Sequence, residues 1–222
     1  MTSAVRAVHE IVTAIAPIDE LERAHLAEAA EWVARTDDIF RRAKPATPGR
    51  HLVSYVVVVD PAGEAVFLVD HIKAGRWLPP GGHVEPGEHP AVTARREAAE
   101  ELGVTAAPGL HHKPLFLTIT TTVGIDGGHE DVSLWYVLVA DRRTEFTLDR
   151  GEFHGGRWWR IDEVAGADPA RFDPHFPRFL TKLRRARAVG GPPRYPLRPV
   201  ADETPWSPSG PSPGDRGTAG LR

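Results

Sequence analysis

The stretch GHVEPGEHPAVTARREAAEELGV, residues 82–104, constrains the fold of this chain more than any other segment. Glu97, Glu100 and Glu101 are spaced i, i+3 and i+4, so on a helix their carboxylates lie on one face. Clustered carboxylate oxygens repel one another unless they bind a hard divalent cation such as Mg²⁺ or Mn²⁺. The spacing therefore predicts a helix that binds Mg²⁺, with Mn²⁺ as a substitute ion. The alternative is a solvated acidic face, which is the usual role of a charge run.

Residues at both ends of this stretch predict where the helix begins and ends. Pro90 suits the first helical position, where its missing amide hydrogen costs nothing, and Gly103 suits the position that stops a helix. We therefore expect a helix over about residues 89–102. Its apolar face would consist of side chains that can lie close against a sheet, namely Ala91, Ala94, Ala98 and Leu102.

The spacing of the stretch, G-x5-E-x7-R-E-U-x-E-E-x-G-U with U an aliphatic residue, resembles the Nudix box. Members of that family hydrolyse nucleoside diphosphates that are linked to a further group. One aliphatic position departs from the pattern, because Ala98 is smaller than the usual Leu, Ile or Val, whereas Val104 fits the last position. The fixed positions are all matched, by Gly82, Glu88, Arg96, Glu97, Glu100, Glu101 and Gly103.

The resemblance implies an α/β fold, the Nudix α/β/α sandwich with a mixed sheet, over about residues 50–187. The sequence pattern over this span agrees with that expectation. The β-branched run at 52–60, a turn rich in Pro and Gly, and the run at 65–70 are typical of a hairpin. Strand-like and helical segments then alternate to the end of the span.

The chain divides into three parts by composition. Residues 1–49 are predicted to form a helical N-terminal extension and linker, with helical spacing at 4–16 and 18–42. This extension is expected to pack on the domain at 50–187 or on a second subunit, the latter arrangement being a homodimer. Residues 188–222, crowded with Pro, Gly and Ser, are predicted to be a disordered tail.

The resemblance also implies roles for the residues of the box. Glu97, Glu100 and Glu101 would bind the metal, with the backbone carbonyl near Gly81 as a further ligand. Arg96 precedes Glu100 by four residues and can hold its carboxylate in one orientation. The remaining box residues are expected to be structural, with the first glutamate paired to that arginine: Gly82, Glu88 and Gly103.

Hydrolysis of a pyrophosphate bond requires positioning, neutralised phosphate charge and an activated water. The general base should be a carboxylate near that water, and family members differ on whether a box glutamate or a loop acid serves. Here the box candidates are Glu100 and Glu101, and the loop candidate is Glu152. The alternative for Glu152 is a surface turn residue.

Two aromatic residues are predicted to contact the nucleobase of a substrate. Trp77 lies just before the Pro-Pro-Gly-Gly segment that leads into the box, and Phe153 follows the loop acid at position 152. Aromatic side chains commonly line ligand pockets. The alternative is core packing, since alternate residues of a strand must face the interior.

The cluster His129-Glu130-Asp131 resembles a metal or acid–base constellation. No other histidine lies at a spacing typical of metal ligands. We therefore expect this segment to be a solvated turn.

Composition excludes several classes of function. The net charge of −3 and pI near 6.4 give no electrostatic case for binding nucleic acid or an anionic membrane. The absence of cysteine excludes disulfides, zinc–thiolate sites and cysteine nucleophiles. With neither a signal-peptide pattern nor a membrane-spanning apolar run, a cytoplasmic protein is expected.

Substrate class is predicted mainly by markers that are missing. Members acting on ADP-ribose usually have a Pro beyond the box where this chain has Ile119 and Thr120, and those acting on diadenosine polyphosphates often have a Tyr near Thr121 and Thr122. The sequence thus favours a MutT-like pyrophosphohydrolase that converts a nucleoside triphosphate, ribo or deoxy, to the monophosphate and pyrophosphate. Hydrolysis of ADP-ribose, a nucleotide sugar or another diphosphate-linked nucleotide is the first alternative. A non-catalytic Nudix module that senses a ligand or acts as a scaffold is the second, disfavoured because all box glutamates are present.

Overall fold

A computed structural model of the chain describes residues 1–44, 46–104, 109–122 and 128–190, and the tail predicted at 188–222 lies almost wholly outside them. The helices of this part are α1 (Ser3–Thr13), α2 (Glu20–Arg35), α3 (Pro90–Leu102), α4 (Ile161–Gly166) and α5 (Phe176–Gly190). The strands are β1 (Arg50–Val59), β2 (Ala65–His71), β3 (Arg76–Leu78), β4 (Gly81–His83), β5 (Phe116–Thr121), β6 (Glu130–Val139) and β7 (Phe153–Arg160).

The strands form one mixed sheet around β1 and β6. These two run parallel over their full length, from Arg50 opposite Glu130 to Val59 opposite Val139. The other pairings between these seven strands are antiparallel, in the order β3-β2-β1-β6-β5, with β4 also on β1 and β7 on β2. Because strand β1 is covered on both faces, its valine run at 56–59 is fully buried. The predicted mixed sheet and the β1–β2 hairpin are confirmed.

Helices cover both faces of the sheet, because alternate residues of each strand point to opposite sides. Val56 and Val58 pack in the core formed with α1, α2 and α3. Val57 and Val59 pack in the core formed with α4 and α5. The predicted α/β/α sandwich is therefore confirmed.

Helix α3 begins and ends where its sequence predicts. Pro90 is its first residue, and the His89 ring caps it by accepting a hydrogen bond from the amide of Ala91 at 3.2 Å. Gly103 ends the helix in the left-handed conformation, with φ of 68°, a geometry that favours glycine. The predicted apolar face packs against the sheet through Ala91, Ala94, Ala98 and Leu102.

The N-terminal extension forms two helices that pack in the same core as α3. Asp19 caps α2 by accepting a hydrogen bond from the amide of Glu22 at 2.8 Å. Both helices end earlier than predicted, and the buried Ile39 and Phe40 belong to an irregular segment instead. No helix among the described residues is long and apolar enough to cross a membrane.

Candidate active site

A cleft of about 550 Å³ lies where α3, β4 and the loop before β7 meet. Gly81 and Gly82 form part of its wall. Its acidic lining comprises Glu97, Glu100, Glu101, Asp131 and Glu152, and its basic lining comprises Arg41, Lys44 and Lys73. Carboxylates beside basic side chains can bind a cation and a polyanion together, which suits a phosphorylated substrate carrying a metal ion.

The helical spacing of the glutamates gives them unequal burial. Glu97 and Glu101, one turn apart, are only 7 % and 8 % exposed, whereas the side chain of Glu100 is 59 % exposed. The amide of Gly81 donates a hydrogen bond to Glu101 Oε2 at 2.8 Å. The sequence predicted the shared face, but burial of two of its three carboxylates follows from β4 lying across the helix.

Two glycines let the backbone of β4 approach this close to its neighbours. A side chain at Gly82 would collide with the carboxylate of Glu97. Gly81 has a φ of +154°, and a side chain there would collide with the backbone carbonyl of Ser54. Any larger residue at either position would push β4 away from α3 or from β1.

Arg96 joins three glutamates of the box. Its Nη1 donates to Glu97 Oε1 at 2.8 Å and to Glu100 Oε2 at 3.1 Å, and its Nη2 lies 3.3 Å from Glu88 Oε2. Glu88 also accepts a hydrogen bond from the hydroxyl of Thr93 at 2.7 Å. Partial burial works against ionisation of Glu88, but these hydrogen bonds outweigh it and lower its pKa. The expected Glu88–Arg96 pairing is present, and the contact of Arg96 with Glu97 adds a second positioning interaction.

Burial makes both Glu97 and Glu101 harder to ionise. Burial raises the pKa of Glu101 to about 8; the Gly81 amide opposes this shift, and the neighbouring Glu97 and Glu152 add to it. Burial also raises the pKa of Glu97, although Arg96 opposes the shift. A divalent cation between these carboxylates would remove both the repulsion and the desolvation penalty, so the donor set fits Mg²⁺.

Glu152 reaches the same cluster from a distant part of the chain. Its carboxylate lies near enough to that of Glu101 to help raise the pKa of Glu101, and it lines the cleft. The loop is anchored by its backbone, because the carbonyl of Glu152 accepts a hydrogen bond from the amide of Ile72 at 2.9 Å. The structure thus brings the predicted loop acid beside the box glutamates.

The structure does not bring the two predicted aromatic residues into the cleft. Trp77 is half-buried and packs edge-on against Trp159 at 5.2 Å between ring centroids, against the core on the α5 side of the sheet. Phe153 is 3 % exposed and lies in the core on the α3 side, with its ring 5.5 Å from that of His71. Strand alternation directs both side chains into the core, so a base contact by either residue gains no support.

A cluster of histidines beside the glutamates was missed from the sequence. His51, His83, His129 and Asp131 bring potential metal-ligand atoms within 4.8 Å of one another. The expectation of a solvated turn at 129–131 is wrong, because β6 begins at Glu130 and the Asp131 side chain is only 16 % exposed. The parallel pairing of β1 with β6 places His51 opposite Asp131, a proximity that no local spacing reveals.

The fold and the cleft together define a class of protein. It is an α/β/α sandwich in which helix α3 presents clustered carboxylates to the cleft. The model of the NUDIX domain family matches residues 49–183, and the chain belongs to that family. The predicted family membership is confirmed.

Particular relatives extend this assignment. The chain is 35 % identical over 99 residues to the asymmetrical bis(5'-nucleosyl)-tetraphosphatase of Sus scrofa, covering 40 % of this chain and 58 % of that enzyme. It is 28 % identical over 121 residues to the uncharacterized Nudix hydrolase YvcI of Bacillus subtilis (strain 168), covering 54 % and 73 %. The alignment thus spans little more than half of the pig enzyme.

Among solved structures, the NUDIX domain of Shewanella oneidensis NrtR complexed with ADP ribose matches with a TM-score of 0.50. The two chains are 18 % identical, and the match covers 71 % of this chain and 97 % of that one. Identity at this level shows the shared fold alone.

Proposed function

We propose that this protein is a Mg²⁺-dependent hydrolase of a nucleoside diphosphate-linked substrate. The observation that carries the proposal is the convergence of Glu97, Glu100, Glu101 and Glu152 on one cleft. Glu97 and Glu101 are buried and their pKa values are raised, so their ionised forms are costly unless a cation binds there. Family membership supports the same reading.

The cleft's own residues account for the steps of hydrolysis. Glu97, Glu100 and Glu101 would hold Mg²⁺, which when bound polarises phosphoryl oxygens and acidifies water. Arg96 keeps Glu97 and Glu100 in place through its hydrogen bonds. The basic side chains of the cleft would neutralise the phosphates of the substrate.

Proton transfer needs a carboxylate beside the attacking water. Glu152 is our preferred base, because it lies in the cleft on a loop whose backbone is anchored to Ile72. Glu101 is the alternative within the box, because its carboxylate lines the same cleft beside Glu152. In the reaction, water adds to phosphorus, the bridging P–O bond breaks, and the proton lost by water passes to this carboxylate.

For the substrate, we propose a ribo- or deoxynucleoside triphosphate, cleaved to the monophosphate and pyrophosphate in the MutT-like manner. A dinucleoside tetraphosphate is the second candidate, because the tetraphosphatase of Sus scrofa is 35 % identical over the aligned region. Against it stands Thr122, which lines the cleft near the position where such enzymes often have a tyrosine.

The test is hydrolysis of a panel with Mg²⁺ or Mn²⁺, with products identified by phosphorus NMR. The panel contains nucleoside triphosphates, oxidised dGTP, diadenosine tetraphosphate, ADP-ribose and nucleotide sugars. Monophosphate and pyrophosphate from a triphosphate support the first substrate, and preferential cleavage of the tetraphosphate supports the second. If only ADP-ribose or a sugar nucleotide is hydrolysed, the proposed hydrolytic mechanism stands and the proposed substrate is wrong.

A variant separates an enzyme from a binding module. Glu100→Gln keeps the shape of the side chain and removes a metal-binding charge. An enzyme should lose turnover by orders of magnitude, whereas a binding module should keep its ligand. No turnover of any compound in the panel by the folded wild type would overturn the proposal of catalysis.

A further inference from the structure

The side chains of His51, His83, His129 and Asp131 form a second cluster of potential metal ligands. His83, His129 and Asp131 line the cleft, and His51 is buried beside them. We propose that this histidine cluster binds a first-row transition metal ion, with Zn²⁺ as the best fit. The proposal does not depend on the hydrolase activity, because it rests on the geometry of these four residues.

Strand pairing holds three of the four residues on a rigid scaffold. His51 on β1 is in parallel register with Asp131 on β6. His83 ends β4, where it is paired with Val53, two residues beyond His51 on β1. The ring of His51 lies 4.9 Å from that of His83 and 5.0 Å from that of His129. Residues on neighbouring strands vary little in separation, as a metal site requires.

Hydrogen bonding determines which nitrogen of His51 is free. Its Nδ1 lies 3.1 Å from the carbonyl oxygen of Pro48, which can only accept, so Nδ1 carries the hydrogen. In a neutral ring Nε2 then presents its lone pair, and it lies 3.1 Å from Asp131 Oδ1. The side chain of His51 is fully buried, and its Nε2 has no hydrogen-bond partner among the described residues. A lone pair facing a carboxylate oxygen at this distance calls for a cation.

His129 repeats the same arrangement. The Thr122 hydroxyl donates to the carbonyl oxygen of His129 at 3.1 Å, so the hydroxyl oxygen is left to accept from His129 Nδ1 at 3.0 Å. Nε2 of His129 is thereby also left with a lone pair, 3.4 Å from the same Asp131 Oδ1. That oxygen is buried and has no hydrogen-bond partner among the described residues.

The cluster thus places two imidazole nitrogens 3.1 Å and 3.4 Å from one carboxylate oxygen. The outward Nδ1 atoms of His51 and His129 are held by Pro48 and Thr122, as the second nitrogen of a metal-binding histidine usually is. Nitrogen donors with a carboxylate suit Zn²⁺ and its neighbours in the first transition row, whereas Mg²⁺ prefers oxygen donors alone. The two clusters should therefore select different ions.

The Arg41 guanidinium beside His83 affects how many of the four side chains can bind the metal. Nη1 of Arg41 lies 2.7 Å from His83 Nε2, so this guanidinium occupies His83 and adds positive charge on that side. His51, His129 and Asp131 are therefore the core ligands, and His83 becomes the fourth when Arg41 turns away. Lys44 also lines the cleft, and Asp131 supplies the negative charge within the cluster.

The experiment uses the full chain, stripped of metal with a chelator, and titrates it with Co²⁺ and then Zn²⁺. Tetrahedral Co²⁺ absorbs visible light, and its displacement by Zn²⁺ gives the affinity of the latter. We expect about one equivalent of Co²⁺ bound in a visibly absorbing site. Asp131→Asn and His129→Gln should each weaken binding at least about tenfold. The matched control, Glu97→Gln with Glu101→Gln, should retain the absorbing site.

Two variants guard against misfolding, one within β6 at Asp131 and one just before it at His129. Circular dichroism of each variant shows whether it remains folded. Unchanged Co²⁺ and Zn²⁺ affinity in folded cluster variants would overturn the proposal, as would loss of the site only in the glutamate control. Absence of tight binding by the wild type would also overturn it, and would mean that a bound proton joins His51 to Asp131.

Discussion

Glu22 and Glu101 are both buried carboxylates, but the charges around them differ. Glu22, at the junction of the N-terminal extension with the domain, lies 2.5 Å from Lys182 Nζ. It also accepts hydrogen bonds from the amides of Ile18 at 2.8 Å and Leu117 at 3.3 Å. Glu101 in the cleft accepts a hydrogen bond from Gly81, but its charged neighbours include other carboxylates.

This difference separates a structural carboxylate from one available for chemistry. A buried charge is tolerated when a counter-charge and hydrogen bonds replace its water, as they do at Glu22. At Glu101 the compensation is incomplete, so the site stays ready to bind a cation. We therefore expect substitution of Glu22 to change stability, and substitution of Glu101 to change activity, metal binding and the pH dependence of stability.

The largest effect of a substitution is expected at Glu101, whose buried charge is only partly compensated. Glu101→Gln removes a proposed Mg²⁺ ligand, so kcat should fall by about a hundredfold to ten-thousandfold. The unfolding free energy of the metal-free variant should not fall, because a poorly compensated buried charge is removed. Steady-state kinetics at saturating Mg²⁺ and urea denaturation measure the two quantities. Retained activity and Mg²⁺ affinity would contradict the assignment of Glu101.

At Glu22, whose charge is compensated by Lys182 and two amides, a substitution should lower the stability of the fold. Glu22→Ala leaves Lys182 buried without its partner, and the expected loss is about 3–5 kcal/mol of unfolding free energy. The double variant Glu22→Leu with Lys182→Met removes both charges and should recover only part of this loss, because the amides of Ile18 and Leu117 then lack their acceptor. Urea denaturation of the single and double variants tests the pairing. A loss below about 1 kcal/mol in Glu22→Ala would place this carboxylate with weak surface pairs.

The pH dependence of stability should carry a contribution from Glu101. Its folded pKa of about 8 exceeds its ordinary value of 4.5, so between these values the folded protein binds more protons than the unfolded chain. This contribution to stability is therefore lost as pH rises from about 4.5 to about 8.

Denaturation of the metal-free protein across this pH range measures the slope, with Glu101→Gln as the control that lacks this group. Saturating Mg²⁺ should reduce the slope, because a bound cation favours the ionised carboxylate. An identical slope in wild type and Glu101→Gln would show that Glu101 does not titrate in this range.

The smallest effect is expected at an exposed pair that serves as the baseline. Glu20 on α2 lies 3.2 Å from Arg23 and is 88 % exposed. Glu20→Gln should change the unfolding free energy by less than about 1 kcal/mol and leave kcat unchanged. The same denaturation and kinetic assays apply. A larger loss would indicate that α2 depends on its surface charges rather than on its buried face.

Much of the fold and of the box was predictable because the signals are local. The bounds of α3 follow from Pro90 and Gly103, and the sharing of one face by Glu97, Glu100 and Glu101 follows from helical periodicity. The β1–β2 hairpin follows from two β-branched runs around a short turn. Trp77 and Phe153 were less predictable, since an aromatic residue looks the same in a core and in a pocket.

The sequence by itself determined the family, the acidic helix and the β1–β2 hairpin. Only the tertiary structure decided that Glu152 lies beside Glu101 and that His51 faces Asp131. The physical reason is range: helix periodicity and capping act over a few residues, whereas these contacts depend on the pairing of strands far apart in the chain. The groups that contact a buried charge, such as Lys182 at Glu22 and Gly81 at Glu101, also come from distant parts of the chain.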